Sequence, residues 1–357
     1  MQRSFRGIVK LRRWPVLAYV VFTAALALLP TRALALGGTG LSPWNAKLSL
    51  PSTGLPLGGG LGFGRTGLSS GTYAGGGGSL QYQLYVPKTY KRGTAVPLVV
   101  ALHGCTQTAD VFRQQTRWDQ VAEKQGFIVV FPQQSSRANQ LSCWNFFRDT
   151  QRGSGEPATI AGLAQYIGRE YSINSRRIYV AGFSAGGAMA SVMAATYPDV
   201  FAAVGVGSGC EYGATAACAG FKGIDPQVAG QNAYQAMGGK GHVMPFVVFQ
   251  GDADTTVPPV NATQVVQQWL LTDDMADDGA ANGSIPRSAA STGSGTAPGG
   301  KSYTMTSWVN GHGGSLGQLF VVHGMKHAWS GGCGCEAYTD PAGPDETSRM
   351  WAFFAVH

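Results

Sequence analysis

The sequence predicts an α/β domain, with a mostly parallel central sheet and helices on both faces. Three observations predict it. Short continuous apolar runs rich in Val, Ala and Phe recur along residues 79–357, as strands buried on both faces require. Longer stretches of helix-forming composition separate them, so strand and helix alternate. The composition, 44% hydrophobic and 13% charged over 357 residues, supplies ample material for a core. No internal repeat divides the chain, so one domain is expected.

The elements follow in order. "SLQYQLYVP" alternates apolar and polar residues like a half-buried strand, and "PLVVALHG" (97–104) is a fully buried one. Residues 108–125 read as one helix closed by Gly126, and "FIVVFPQ" is the next strand. A helix over 156–171 leads to the strand "RIYVAGF"; a helix to Thr196 follows, then the strand "FAAVGVGSG". A helix over 226–237 precedes the buried strand "PFVVFQG", and another covers 260–271. Residues 273–300, rich in Asp, Gly, Ser and Thr, predict a long surface excursion. "SYTMTSWVN" and "GQLFVVHG" are the last strands, and "PDETSRMWAFFAV" is a closing helix with an acidic first turn.

Ahead of this domain the reading changes. Residues 1–35 carry Arg3, Arg6, Lys10, Arg12, Arg13 and Arg32 and no acid, so they account for all but one of the formal net charge of +7. A basic start, an apolar run from Val16 to Leu29 and the small-residue pattern Ala33-Leu34-Ala35 describe a cleaved secretory signal. The run is too short for the roughly 20 residues of a membrane span. What remains is nearly neutral, with no basic stripe for nucleic acid. Residues 36–78 are expected to be a flexible lead-in, since 15 of the 42 positions in 37–78 are glycine. Six cysteines (Cys105, Cys143, Cys210, Cys218, Cys333, Cys335) fit an exported protein with disulfides better than a metal site.

In a parallel sheet, reactive groups belong in loops at the carboxyl ends of strands. Gly182-Phe183-Ser184-Ala185-Gly186 stands where a strand run meets a helix run and fits G-x-S-x-G, a turn that exposes a serine above the sheet. Such a hydroxyl needs a general base, and the base an orienting carboxylate, in the chain order Ser, Asp, His. His103 and His242 fail that order. His327, in the loop after the last strand, is the candidate base, with His323 the alternate. Asp254 in "GDADTTVP" is the candidate acid, with Asp252 the alternate. The oxyanion donors expected are the backbone N–H groups of Ala185 and Cys105, which leaves His103 a structural role. This chemistry requires no cofactor and no metal.

The motifs "LHGCTQ", "CWNFF", "RGSGEPATI", "GFSAGGAMA", "GDADTTVP", "HGMKHAWSGG" and "YTDPAGPDETSRMWAFF", in this order over residues 79–357, resemble the polyhydroxybutyrate depolymerase-type esterases of the α/β-hydrolase superfamily. The resemblance implies an α/β-hydrolase fold, Ser184, Asp254 and His327 as a triad, and an oxyanion hole from Cys105 and Ala185. It implies hydrolysis of short-chain polyhydroxyalkanoate esters or, as in relatives, of feruloyl and acetyl esters of plant polysaccharides. It also implies a Cys105–Cys143 disulfide. Bridges between Cys210/Cys218 and Cys333/Cys335 are expected to brace the His327 loop, with Cys210–Cys218 the alternative. Trp144 and Trp329, each beside a motif, are candidates for an apolar shelf under the substrate, with core packing the alternative for Trp144. No segment reads as a separate polymer-binding domain, so oligomers or amorphous polymer are the expected substrates.

Overall fold

The structure, a computed structural model, describes residues 66–219 and 224–357. The signal expected over 1–35 and most of the lead-in lie outside the described residues. Ten strands form one sheet: β1 (Gly67–Gly75), β2 (Gly78–Val86), β3 (Val96–Leu102), β4 (Ile128–Gln133), β5 (Ile173–Phe183), β6 (Ala203–Gly207), β7 (Phe246–Gly251), β8 (Ser291–Thr296), β9 (Ser302–Val309) and β10 (Ser315–Val322). Their spatial order is β1-β2-β4-β3-β5-β6-β7-β10-β9-β8. The centre from β4 to β10 is parallel and the wings are antiparallel. A short pair, β11 (Trp329–Ser330) with β12 (Thr339–Asp340), stands apart from the sheet.

Strand periodicity divides the core. Leu98, Val100, Val180, Val204 and Val248 face one side, where α3 (Gly155–Glu170), α4 (Ala185–Thr196), α5 (Pro226–Met237) and α6 (Val260–Asp278) pack. Val99, Ala101, Val129, Ala181 and Phe249 face α1 (Ala109–Thr116), α2 (Trp118–Gln125) and α7 (Glu346–Phe354). Both faces are thus covered, as the continuous apolar runs require. Every residue of α4 is buried, which its Ala, Gly and Met composition allows.

Three expectations need correction. The helix expected over 108–125 is two, broken at Arg117, whose φ is 56°. Phe112 and Trp118 would lie about 120° apart on one continuous helix, and the break lets both enter the same core. The lead-in does not extend to residue 78: β1 pairs with β2 from Gly67↔Val86 to Gly75↔Gly78. Its glycines make room for aromatic rings, since a Cβ at Gly71 would stand 2.5 Å from Tyr82 Oη and one at Gly75 2.3 Å from Tyr73 Oη.

The excursion expected over 273–300 shrinks at both ends, because α6 runs to Asp278 and β8 forms the sheet edge. Its first two aspartates are anchors rather than surface. Asp273 accepts the Met244 N–H, and Asp274 accepts the N–H groups of Gly283 and Ile285. No helix among the described residues is long and apolar enough to cross a membrane.

Candidate active site

Ser184 sits between the end of β5 and the start of α4 with φ 56° and ψ −123°, a conformation an L-residue holds only when its surroundings enforce it. The surroundings are backbone. A Cβ at Gly182 would stand 2.2 Å from Gly186 O, and one at Gly186 2.2 Å from Leu102 O and 2.5 Å from His103 O. Strand, turn and helix therefore close on each other only with hydrogen at these positions. Gly186→Ala, a change that usually favours a helix, is expected here to lower the melting temperature by roughly 10 °C or to prevent soluble folding. Circular dichroism of the purified variant checks this.

His327 lies in the loop after β10. Its Nε2 is 3.0 Å from Ser184 Oγ and its Nδ1 2.7 Å from Asp254 Oδ2. Asp254 follows β7 and is buried. Its Oδ1 accepts the N–H groups of Thr256 and Val257 at 2.8 and 2.9 Å, and its Oδ2 also accepts from Gln250 Nε2. Burial pushes the Asp254 pKa up, but the His327 hydrogen bond and charge and the two amides together hold it below the usual carboxylate value. The loops meet because Gly251 ends β7: a Cβ there would stand 2.1 Å from Met325 O.

The alternates pair with each other instead. Asp252 Oδ2 is 2.9 Å from His323 Nδ1, its Oδ1 accepts the Gly324 N–H, and both side chains are exposed. One aspartate of "GDAD" therefore reaches Ser184 through His327, and the other ties down the turn that precedes His327.

Cys105 and Ala185 line the same cavity as Ser184 and His327, a space of about 420 Å³. Ala185 is the first residue of α4, where a helix has no internal acceptor for its N–H. The Cys105–Cys143 disulfide joins the turn after β3 to the segment carrying Phe146 and Phe147. The other bridges are Cys210–Cys218 and Cys333–Cys335. The bridges expected between these two pairs do not form, since each cysteine finds its partner within its own loop. Cys218 also lines the cavity.

The tryptophan shelf is not there. Trp144 is fully buried and donates from Nε1 to His103 O at 3.0 Å. Trp329 is fully buried too, donating from Nε1 to Thr347 Oγ1, with its ring edge-on to Phe112 at 5.6 Å. Both brace the site from below. The apolar lining comes from Leu141, Phe146, Phe147 and Tyr338, residues that the motif reading passed over. Leu141, Phe147 and Tyr338 are also among the few exposed large apolar side chains of the described residues. The adjacent aromatics of "CWNFF", in a loop otherwise rich in polar residues, were the available signal.

The parallel sheet, the strained serine turn and the acid and histidine loops at the ends of β7 and β10 define an α/β-hydrolase fold. The solved structure of the acetyl xylan esterase from Aspergillus awamori has the same fold, with a TM-score of 0.64 at 24% identity over 81% of this chain and 99% of that one. Residues 80–290 match the family described as Esterase PHB depolymerase, and the chain belongs to that family. Poly(3-hydroxyalkanoate) depolymerase C of Paucimonas lemoignei is 38% identical over 202 residues, 54% of this chain and 48% of that protein. Acetylxylan esterase A of Talaromyces purpureogenus is 35% identical over 210 residues, 54% of this chain and 53% of that protein. The chain thus spans about half the length of the curated relatives it matches.

Proposed function

We propose that the chain is a secreted serine esterase that hydrolyses short-chain polyhydroxyalkanoate esters, or their oligomers, through an acyl-enzyme. One observation carries the reading: the hydrogen-bonded series Ser184–His327–Asp254 opens into an apolar cavity rimmed by exposed Leu141, Phe147 and Tyr338. In this reading Ser184 Oγ attacks the ester carbonyl while His327 Nε2 takes its proton. The amides of Cys105 and Ala185 receive the developing oxyanion. His327 returns the proton to the leaving alkoxide, and the alcohol departs. Water then attacks acyl-Ser184 with His327 as base, releasing the acid. Asp254 keeps the Nδ1–H tautomer in place and stabilises the imidazolium. The leader and six paired cysteines support secretion into an oxidising compartment.

An acetyl or feruloyl ester of a plant polysaccharide is the second reading. The likeness to acetylxylan esterase A of Talaromyces purpureogenus favours it, as do Thr106, Asn139 and Thr256 on the cavity wall. A substrate panel separates the two. The polyester reading expects release of 3-hydroxybutyrate from oligomers to exceed release of acetate from acetylxylan. It also expects Leu141→Ser with Phe147→Ser to lower oligomer hydrolysis tenfold or more, at roughly 1.5–3 kcal/mol of apolar burial per side chain. Hydrolysis of p-nitrophenyl acetate should fall much less. Faster acetate release by the unsubstituted chain would favour the polysaccharide ester.

A further inference from the structure

Tyr338 stands beside the candidate base, on a loop whose sequence gives it little stiffness of its own. Its ring meets the His327 ring edge-on at 6.1 Å and lies 6.5 Å from that of Phe183, with 46% of the residue exposed. His327 returns the proton to the leaving alkoxide, so a side chain beside it meets the alcohol portion of an ester. The backbone of Tyr338 is strained, with φ 61°, which an L-residue holds only where its surroundings enforce it. Yet "GGCGC" (331–335), just before it, is three glycines in five residues, and glycine loses the most freedom on ordering.

Ties to the rest of the molecule supply the missing order. The loop leaves β11 and returns to β12, where the Trp329 N–H donates to Tyr338 O at 2.8 Å. Buried Gln115, near the end of α1, holds the stretch between at two points. Its carbonyl accepts the Cys333 N–H at 3.0 Å, and its Nε2 donates to Ala337 O. Between those points the Cys333–Cys335 disulfide closes the chain on itself, and the Cys335 N–H donates to Cys333 Sγ at 3.0 Å. A hydrogen bond contributes, net, about what one positive φ costs. The bridge adds what the hydrogen bonds lack, since it removes in advance freedom that an open glycine-rich loop would lose on ordering.

We infer that the Cys333–Cys335 disulfide is a positioning element for ester hydrolysis, holding Tyr338 against the alcohol portion of the substrate. This rests on the serine-esterase reading above. Neither cysteine lines the cavity, so the pair acts only through Tyr338. The bridge is also the one most open to thiols: Cys335 is exposed, whereas Cys210 and Cys218 are buried and Cys105 and Cys143 half-buried. In that exchange dithiothreitol becomes its cyclic disulfide, and Cys333 and Cys335 take up its two electrons and two protons as thiols.

Ethyl butyrate and hexyl butyrate form the same acyl-enzyme and differ only in the alcohol released. Cys333→Ser with Cys335→Ser is expected to lower kcat/KM on the hexyl ester about tenfold, chiefly through KM, and on the ethyl ester by no more than about twofold. Tyr338→Ala should lower the hexyl value by a similar factor in the parent chain, but by less than about twofold in the serine variant, where the ring is no longer held. Dithiothreitol should reproduce the loss in the parent, with alkylation found at Cys333 and Cys335, and leave the serine variant unchanged. Equal losses on the two esters, a full additional loss from Tyr338→Ala in the serine variant, or no loss on opening the bridge would overturn the proposal. Should the serine variant fail to fold, the reduced and alkylated parent decides by the same comparison of esters. Fluorophosphonate labelling of Ser184 tests the esterase reading separately. Labelling without an alcohol-dependent loss removes only the role of the bridge, and no labelling removes both.

Discussion

Ser184→Ala is expected to lower hydrolysis of p-nitrophenyl butyrate by about 10⁴- to 10⁶-fold and to abolish fluorophosphonate labelling. The substitution removes one oxygen, the only atom of residue 184 that His327 Nε2 reaches. The backbone is left as it was. Alanine occupies φ 56° no more easily than serine does, and the flanking contacts of Gly182 and Gly186 involve backbone rather than the hydroxyl. Stability should therefore stay close to that of the parent chain. Residual turnover would come from the amides of Cys105 and Ala185 acting on bound ester. Rate measurement on purified variant and parent, with melting curves of each, checks the point. A variant that kept a tenth of the activity would show that Ser184 is not the nucleophile.

Asp254→Asn is expected to cost about 10³- to 10⁴-fold in kcat, while Asp252→Asn changes it by no more than about threefold, as befits an exposed pair. The hydrogen bonds dictate the difference. Oδ1 of Asp254 accepts two backbone N–H groups, so an asparagine there must place its carbonyl oxygen in that position. Its NH₂ then faces His327 Nδ1 and donates to it, which forces the ring proton onto Nε2. A ring protonated at Nε2 cannot take the proton of Ser184. Asp252, by contrast, is hydrogen-bonded to exposed His323 and to the Gly324 amide. Similar losses in the two variants would mean that the carboxylate acts through general loop stability rather than through the tautomer.

The site was more legible than its surroundings, for a physical reason. Ser184, Asp254 and His327 sit at strand ends, and strand ends announce themselves through apolar runs that stop at glycine. Gly182, Gly186 and Gly251 mark backbone contacts that admit no side chain, so the signal and its cause coincide. Elements that rest on tertiary contact left weaker traces. Arg117 breaks a helix within a run of ordinary helix formers, and only the demand that Phe112 and Trp118 enter one core explains it. β8 is composed of Gly, Ser and Thr and β1 is rich in them, since edge strands bury little and need few apolar residues. Trp144 and Trp329 showed the reverse: large aromatics beside motifs suggested contact with substrate, yet their N–H groups find partners inside the protein.

The burial of α4 bears on how such a chain can change over generations. Every residue from Ala185 to Thr196 is enclosed, so nearly any substitution there disturbs the support of Ser184. Leu141, Phe147 and Tyr338 stand on exposed loops, where substitutions usually alter stability by no more than about 0.5 kcal/mol. The fold should therefore tolerate replacement at the rim more readily than along α4, the helix that begins beside Ser184. On the esterase reading proposed above, a few replacements on these loops would change which ester fits while the scaffold beneath stays folded.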